Sequence, residues 1–421
     1  MKVAIIAGKC DGCGVSTYLF ELQKAFNKYA GTCDYYVYDC PSFFKENDYN
    51  LMKKLNVKTI TRADAVKINN YDIVFAAYHV VRSQVTEDEA NGYYDMLEYD
   101  ITNPLKVLIF NEHRPSSIIK HYANGTIDKY CLRPSFLLSF DKIMQFGSNI
   151  TTAVFLKDLI GEAEYMKRFT PLYHLYEFNN IDNWVPAVAK IKAIEYLGRA
   201  ALFKDAHRLI RANDKLQKAG YIVEMRGLGY KETLENLPDF VYESDGKYGV
   251  DRTKKSSITC WISPNEDQYK LLDLPIEKRN NKIYCYGNYN KYEIYNHLNR
   301  VAYACDFFNL PHVEDYADSL MEYCMCEFID NGIIPVLDND FGSNSNIIVD
   351  GKISNTKFNE TCAGIFLNKD LSNIDEVIEK MDYLYNNPIE YDKFREESLE
   401  IWKEHCNPKN IIENLLENIY K

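Results

Sequence analysis

The sequence predicts an α/β protein of two parallel-sheet domains, and three observations carry that prediction. Its 421 residues are 46% hydrophobic and 26% charged, the composition of a globular chain at a length where one core gives way to two. Apolar runs of strand length alternate with amphipathic stretches of helical length, which is the βαβ pattern. That alternation runs once through the first half and begins again after the polar stretch 178–183.

Taken in order, residues 3–7 read as a first buried strand. Their apolar run is too short for a signal peptide, and Lys9, Asp11 and a glycine turn follow at once. A helix over 16–29 comes next, then strands over 34–38, 72–77, 106–111 and 143–147. The second series has a strand over 193–197, a helix over 203–219, strands over 222–226 and 283–286, a helix over 318–330 and a strand over 333–337. Residues 374–420 read as two or three helices with Pro388 and Pro408 between them. The expected domains are 1–175 and 176–385, with the helices of 386–421 packing back toward the first.

Composition excludes several classes. No stretch approaches the roughly 18 apolar residues that span a bilayer. Twelve cysteines in so long a chain, with Cys305, Cys324 and Cys326 in apolar or helical contexts, point to a reducing cytoplasm rather than a disulfide scaffold. The net charge of -12 argues against indiscriminate nucleic-acid binding. Residues 1–175 nevertheless hold 20 Lys+Arg against 20 Asp+Glu, and the remainder 29 against 41. An anionic macromolecule is therefore expected to meet the first half.

Parallel sheets bind ligands outside the carboxyl ends of their strands, which suggests a cleft between the two domains. The first such end carries Gly12-Cys13-Gly14-Val15 leading into a helix. Glycines there admit close backbone approach, and the helix N-terminus offers N–H groups to a phosphate. The stretch is neither a Walker A loop nor a full GxGxxG, and it also reads as a tight turn with Ser16 as cap. Cys10 and Cys13 form a C-x-x-C with no second pair or His cluster at ligand spacing, so no metal site is expected.

The second end carries Glu112-His113-Arg114, a carboxylate beside an imidazole and a guanidinium, suited to acid/base work or to a surface ion pair. In the second half, Gly198-Arg199 closes a strand and Lys204 opens a helix. Two such cations can hold a nucleotide diphosphate and stabilise it as a leaving group, or serve as solvated surface charge. Glu322 and Glu327 lie five apart on one helix and do not share a face. One carboxylate suffices to accept both hydroxyls of a ribose.

Together these stretches resemble a retaining sugar-nucleotide glycosyltransferase of the GT-B class, with two Rossmann-like domains facing across a cleft. More narrowly, the sequence resembles the DNA alpha-glucosyltransferases of T-even bacteriophages. The resemblance rests on Asp11-Gly12-Cys13-Gly14-Val15, Tyr176-Glu177-Phe178-Asn179, Gly198-Arg199 with Lys204, Met225-Arg226-Gly227-Leu228, Tyr286-Gly287-Asn288, and Glu322-Tyr323 through Val336. They stand in the family's order along most of the chain.

The resemblance implies that Gly12, Cys13, Gly14 and Val15 lie against the donor sugar and phosphate, and that Arg199 and Lys204 neutralise the diphosphate. Glu327, with Glu322 on the same helix, would bind the ribose, and Gly227 and Tyr286 would border the nucleotide. Ser319 stands where the general class expects another glutamate. Glu112-His113-Arg114 stands where the phage family keeps His-Asp-His, so which of Glu112 and His113 takes the acceptor proton stays open.

The implied donor is a UDP-sugar, carrying glucose or arabinose, with no obligatory cofactor or metal. The implied acceptor is the hydroxymethyl group of 5-hydroxymethylcytosine in double-stranded DNA. Residues 104–175 hold nine Lys+Arg against six Asp+Glu, and Arg114, Lys120, Lys129 and Arg133 are the expected DNA contacts. The family likeness further implies a monomer without membrane attachment, working in the cytoplasm of the infected host bacterium and protecting phage DNA from nucleases. Competing readings are a glycosyltransferase for a surface polysaccharide or lipid-linked acceptor, and a binding protein that has kept the fold without catalysis.

Overall fold

The computed structural model describes residues 1–8, 14–41, 50, 52–53, 55–78, 87–110, 133–146, 150–198, 205–226, 241–244, 259–263, 282–286, 298–307 and 323–421. The chain divides into two compact units. Met1–Glu177 and Cys406–Lys421 belong to the first, Phe178–Val313 and Leu320–His405 to the second. Residues 386–421, which the sequence groups together, are thus divided at His405.

The first unit is built on seven parallel strands: β1 (Lys2–Ala7), β2 (Thr32–Tyr38), β3 (Lys58–Ile60), β4 (Ile73–Tyr78), β5 (Leu105–Phe110), β6 (Lys142–Phe146) and β7 (Phe169–Leu172). Their order is β3-β2-β1-β4-β5-β6-β7, a doubly wound arrangement whose direction switches between β1 and β4. Val3 to Ala7 are each at most 2% exposed. A strand covered on both faces reads as a continuous apolar run, which is why β1, β4 and β5 are legible.

The helix Gly14–Tyr29 buries Tyr18, Leu19, Leu22, Ala25 and Phe26, an apolar stripe at helical spacing that lies on the sheet. Phe26 meets Phe75 of β4 with ring centroids 5.3 Å apart. Because the helix begins at Gly14, Ser16 is a buried residue within it rather than its cap. Asn407 caps the last helix, Pro408–Tyr420, accepting from the N–H groups of Lys409 and Asn410 at 3.1 and 3.2 Å. That helix packs on Gly14–Tyr29 and on β7.

The second unit holds eight parallel strands: β8 (Ile191–Leu197), β9 (Ile222–Arg226), β10 (Val241–Ser244), β11 (Thr259–Ser263), β12 (Lys282–Tyr286), β13 (Val301–Asp306), β14 (Ile334–Asp338) and β17 (Ile365–Leu367). The order is β10-β11-β12-β9-β8-β13-β14-β17, with the switch between β8 and β13. One sheet face carries Ile194, Tyr196, Val223, Met225, Cys305 and Val336 into a core shared with the helices Ala206–Lys218 and Ile374–Asn386. The other face packs Ala193, Leu197, Ile222 and Ala304 against Phe328 of the helix Tyr323–Asp330.

A hairpin of β15 (Asn346–Val349) and β16 (Lys352–Lys357) stands apart from that sheet. Its turn, Asp350-Gly351, has φ of +52° and +71°, the left-handed pair that a two-residue hairpin requires. The helix Pro388–His405 stays with this unit, since Tyr391 donates to the Ala302 carbonyl and Trp402 Nε1 donates to the Ala363 carbonyl at 2.8 Å.

Candidate active site

All eight strands of the second sheet run in one direction, so their carboxyl ends line one edge. Register places Tyr286 of β12 beside Arg226 of β9, Arg226 beside Leu197 of β8, and Asp306 of β13 beside Leu337 of β14. Residues predicted from three distant stretches of sequence thereby share one rim. Gly198 follows β8 at the switch point with φ +154°. The segment that begins there carries Arg199 and Lys204, which lie outside the described residues, as do Gly227 and Glu322. Tyr286 is described as the last residue of its strand.

The chain is described again from Asp205, whose φ is +40°. Its carboxylate accepts from Arg208 Nε at 2.9 Å, and Arg208 Nη2 lies 2.6 Å from Asp338 Oδ2. Arg208 is 0% exposed and donates from Nη1 to the Leu367 carbonyl at 3.1 Å. One guanidinium here faces two carboxylates in a desolvated, hydrogen-bonded group, and removing one partner of such a group costs about 3–5 kcal/mol. Asp338 also caps the helix Asn339–Asn344, accepting from the N–H groups of Asp340 and Phe341 at 2.7 and 3.3 Å. Beside it, burial and then the Asp338 charge raise the Asp340 carboxyl above its ordinary value.

Glu327 lies buried on the helix Tyr323–Asp330. Near the start of that helix, Cys324 Sγ donates to Asp306 Oδ2 at 2.9 Å, which fixes it to the rim at the end of β13. At the other end, Asp330 Oδ1 accepts from the N–H groups of Asn179 and Asn180 at 2.8 and 2.9 Å. Trp184 Nε1 donates to the Asp330 carbonyl at 2.8 Å. The next turn needs Gly332, at φ +65°, because a Cβ there would fall 2.7 Å from the Trp184 ring. The helix carrying Glu327 is therefore held at both ends.

In the first unit the switch point lies between β1 and β4. The helix after β1 begins at Gly14, which is exposed, followed by half-buried Val15. Gly12 and Cys13 lie outside the described residues. So do Glu112, His113, Arg114, Lys120 and Lys129, which follow β5 after the buried Phe110. Arg133 is described: its Nη2 lies 2.8 Å from Glu98 and 3.5 Å from Asp95. The Glu98 side chain is only 3% exposed, so a large part of the Arg133 charge is matched within the unit.

Compared along its whole length, the chain is similar to a solved alpha-glucosyltransferase in complex with UDP, with a TM-score of 0.76, 16% identity and 100% of both chains covered. An alpha-glucosyltransferase in complex with UDP-glucose and DNA containing an abasic site gives 0.74, 17% and 100% of both chains. Anabaena Alr3699/HepE in complex with UDP-glucose gives 0.54 and 10%, over 100% of this chain and 99% of that one. This is the GT-B fold. No family model and no curated protein sequence matches the chain.

Sequence reasoning missed the Asp205, Arg208 and Asp338 group and the Asp330 contacts. Asp205 follows Lys204 directly at the start of the helix Ala206–Lys218, and Asp338 ends an apolar strand. Their pairing has no local signature. A polar hollow of about 600 Å³, lined by Lys2, Asn27, Asp34, Lys67 and Tyr71 among others, opens at the amino ends of β1 and β2, the edge opposite to the one where such folds bind nucleotides.

Among the described residues no group of three or more His, Cys, Asp or Glu side chains is arranged to hold a metal ion. No described helix is long and apolar enough to cross a membrane. Cys33, Cys40, Cys305, Cys324, Cys326, Cys362 and Cys406 are reduced thiols, none of them in a disulfide. Burial pushes the Cys40 thiol up to about 12, which leaves it a poor nucleophile.

Proposed function

We propose that this protein is a UDP-sugar-dependent glycosyltransferase acting on DNA, and that it moves a sugar to the hydroxymethyl group of 5-hydroxymethylcytosine with retention of configuration. The observation that carries this reading is the full-length likeness, with TM-score 0.74, to an alpha-glucosyltransferase holding UDP-glucose and DNA. The same fold match falls to 0.54 for HepE with UDP-glucose. The higher likeness is to an enzyme solved with DNA, which supports DNA as the acceptor.

In this reading Arg199 and Lys204 bind the diphosphate at the β8 end, and Glu327 accepts hydrogen bonds from the ribose hydroxyls. Gly12, Cys13, Gly14 and Val15 border the sugar, while Gly227, Tyr286 and Glu322 border the nucleotide. The bond from the sugar's anomeric carbon to the phosphate oxygen breaks as a bond to the acceptor hydroxyl forms on the same face. Paired cations stabilise the charge that develops on the leaving UDP. The hydroxyl proton passes to the departing phosphate or to Glu112 or His113. No metal is required, because Arg199 and Lys204 supply the positive charge.

A base inside a duplex must leave the stack before its hydroxymethyl group can react. Arg114, Lys120 and Lys129 are the proposed phosphate contacts, while Arg133, also expected there from the sequence, already lies against Glu98. Sugar on the phage genome would shield it from host nucleases, with the enzyme working as a monomer in the cytoplasm of the infected bacterium.

The test supplies UDP-glucose and UDP-arabinose separately, each with duplex DNA containing 5-hydroxymethylcytosine and with unmodified duplex. UDP release and the nucleoside masses are measured. A sugar-linked nucleoside formed only with the modified DNA is expected. UDP release independent of DNA would move the acceptor to a carbohydrate or lipid carrier, and failure to bind UDP would remove the reading altogether.

A further inference from the structure

The segment 199–204 is bounded by two residues of positive φ, Gly198 at +154° and Asp205 at +40°. Glycine takes such a backbone freely, whereas aspartate does so only at a cost in energy. Asp205 is held there by the buried group already described. Arg208 donates to Asp205 from Nε, reaches Asp338 with Nη2 and donates to the Leu367 carbonyl from Nη1. Its guanidinium also lies 4.7 Å from the ring centroid of Phe307, just past β13.

One side chain thereby ties Asp205, the residue after Lys204, to the carboxyl ends of three strands beyond the switch point. Apolar packing would fill the same space without desolvating three charges. A rigid guanidinium fork adds fixed directions, since its N–H groups all donate in the plane of the group.

We propose that Arg208, with Asp205 and Asp338, is a positioning element that sets the diphosphate-binding pair Arg199 and Lys204. The inference rests on the reading of the protein as a UDP-sugar glycosyltransferase. It acts through the backbone, because Lys204 is bonded directly to Asp205 and moves with it. Neither Arg208 nor its partners need touch the nucleotide.

The test uses the full chain with Asp205→Gly and Asp205→Asn. Glycine accepts the φ of +40° but deletes the carboxylate, while asparagine tolerates that φ and keeps one acceptor for Arg208. Turnover per folded molecule, UDP affinity and hydrogen exchange of the 199–204 amides without nucleotide are measured, with melting temperature alongside. Asp205→Gly is expected to lower kcat by about a hundredfold, the effect of a misplacement near 1 Å, and to speed exchange in 199–204. Asp205→Asn is expected to recover kcat to within about tenfold of wild type.

A purely structural role would lower the melting temperature and leave kcat per folded molecule unchanged. Unchanged kcat and UDP affinity in Asp205→Gly, beside a wild type that turns over, overturn the inference and leave the functional reading standing. A wild type that binds no UDP overturns that reading and the inference with it. Should Asp205→Gly fail to fold, Asp338→Asn carries the same test, because asparagine keeps the cap on Asp340 and Phe341.

Discussion

Lowering the pH from about 7.5 to about 5 is expected to destabilise the second unit by about 2 kcal/mol through His405 alone. The imidazole is buried, with ring centroids 4.7 Å from Phe358 and 5.8 Å from Trp402. Its Nδ1 accepts the Ile348 N–H at 2.9 Å. Burial pushes the folded pKa down from 6.5 to about 3. Between those two values the unfolded chain binds a proton that the folded chain refuses, so stability is complete above the unfolded pKa and declines as pH falls. At about pH 5, roughly 1.5 pH units below the unfolded pKa, protonation of the unfolded chain favours it by about 1.4 kcal/mol per unit, which gives the stated figure.

For a unit of this size the loss corresponds to about 4–8 °C in melting temperature. His405→Asn keeps an acceptor for Ile348 but does not titrate, and carboxylate effects common to both proteins cancel in the comparison. Urea unfolding of the two proteins at both pH values measures the difference. Equal losses in wild type and variant would refute the buried, neutral imidazole as the source.

Arg199→Ala and Lys204→Ala should each abolish transfer while leaving the circular dichroism spectrum and melting temperature near wild type; turnover at the wild-type rate in either would remove the diphosphate assignment. Gly332→Ala places a Cβ against the Trp184 ring and an alanine at positive φ, so it should destabilise the second unit by about 3 kcal/mol in urea unfolding. A loss below about 1 kcal/mol would mean that the Asp330 turn relaxes freely. DNA affinity measured against salt should fall less steeply by about one phosphate contact in Lys129→Ala. Arg133→Ala should barely change that slope, because its guanidinium already lies against Glu98. A change in Arg133→Ala matching that in Lys129→Ala would mean that Arg133 leaves Glu98 for a phosphate.

Much of the fold was legible because parallel sheets demand unbroken apolar strands. The stretches 3–7, 72–77 and 333–337 announce themselves that way, and the glycine and charged residues after them mark the ends where ligands bind. Strands β10 and β17 are four and three residues long, too short to carry a periodic signal. The hairpin of β15 and β16 carried a readable Asp350-Gly351 turn, yet β16 is largely exposed and the apolar run Ile347-Ile348-Val349 of β15 is only three residues long. Arg133 reads as one more cation of a basic stretch until Glu98, 35 residues earlier in sequence, is found beside it.

The sequence by itself determined which residues end buried strands, because burial on both sheet faces is recorded in the order of side chains along one stretch of chain. Only the tertiary structure decided which of those ends become neighbours. Arg208 meets Asp338 and the Leu367 carbonyl across 130 and 159 residues of chain, and Asp330 takes the amides of Asn179 and Asn180 across about as many. Such pairings are fixed by strand order and by the requirement that every buried charge find a partner. Neither constraint leaves a periodic trace in the sequence.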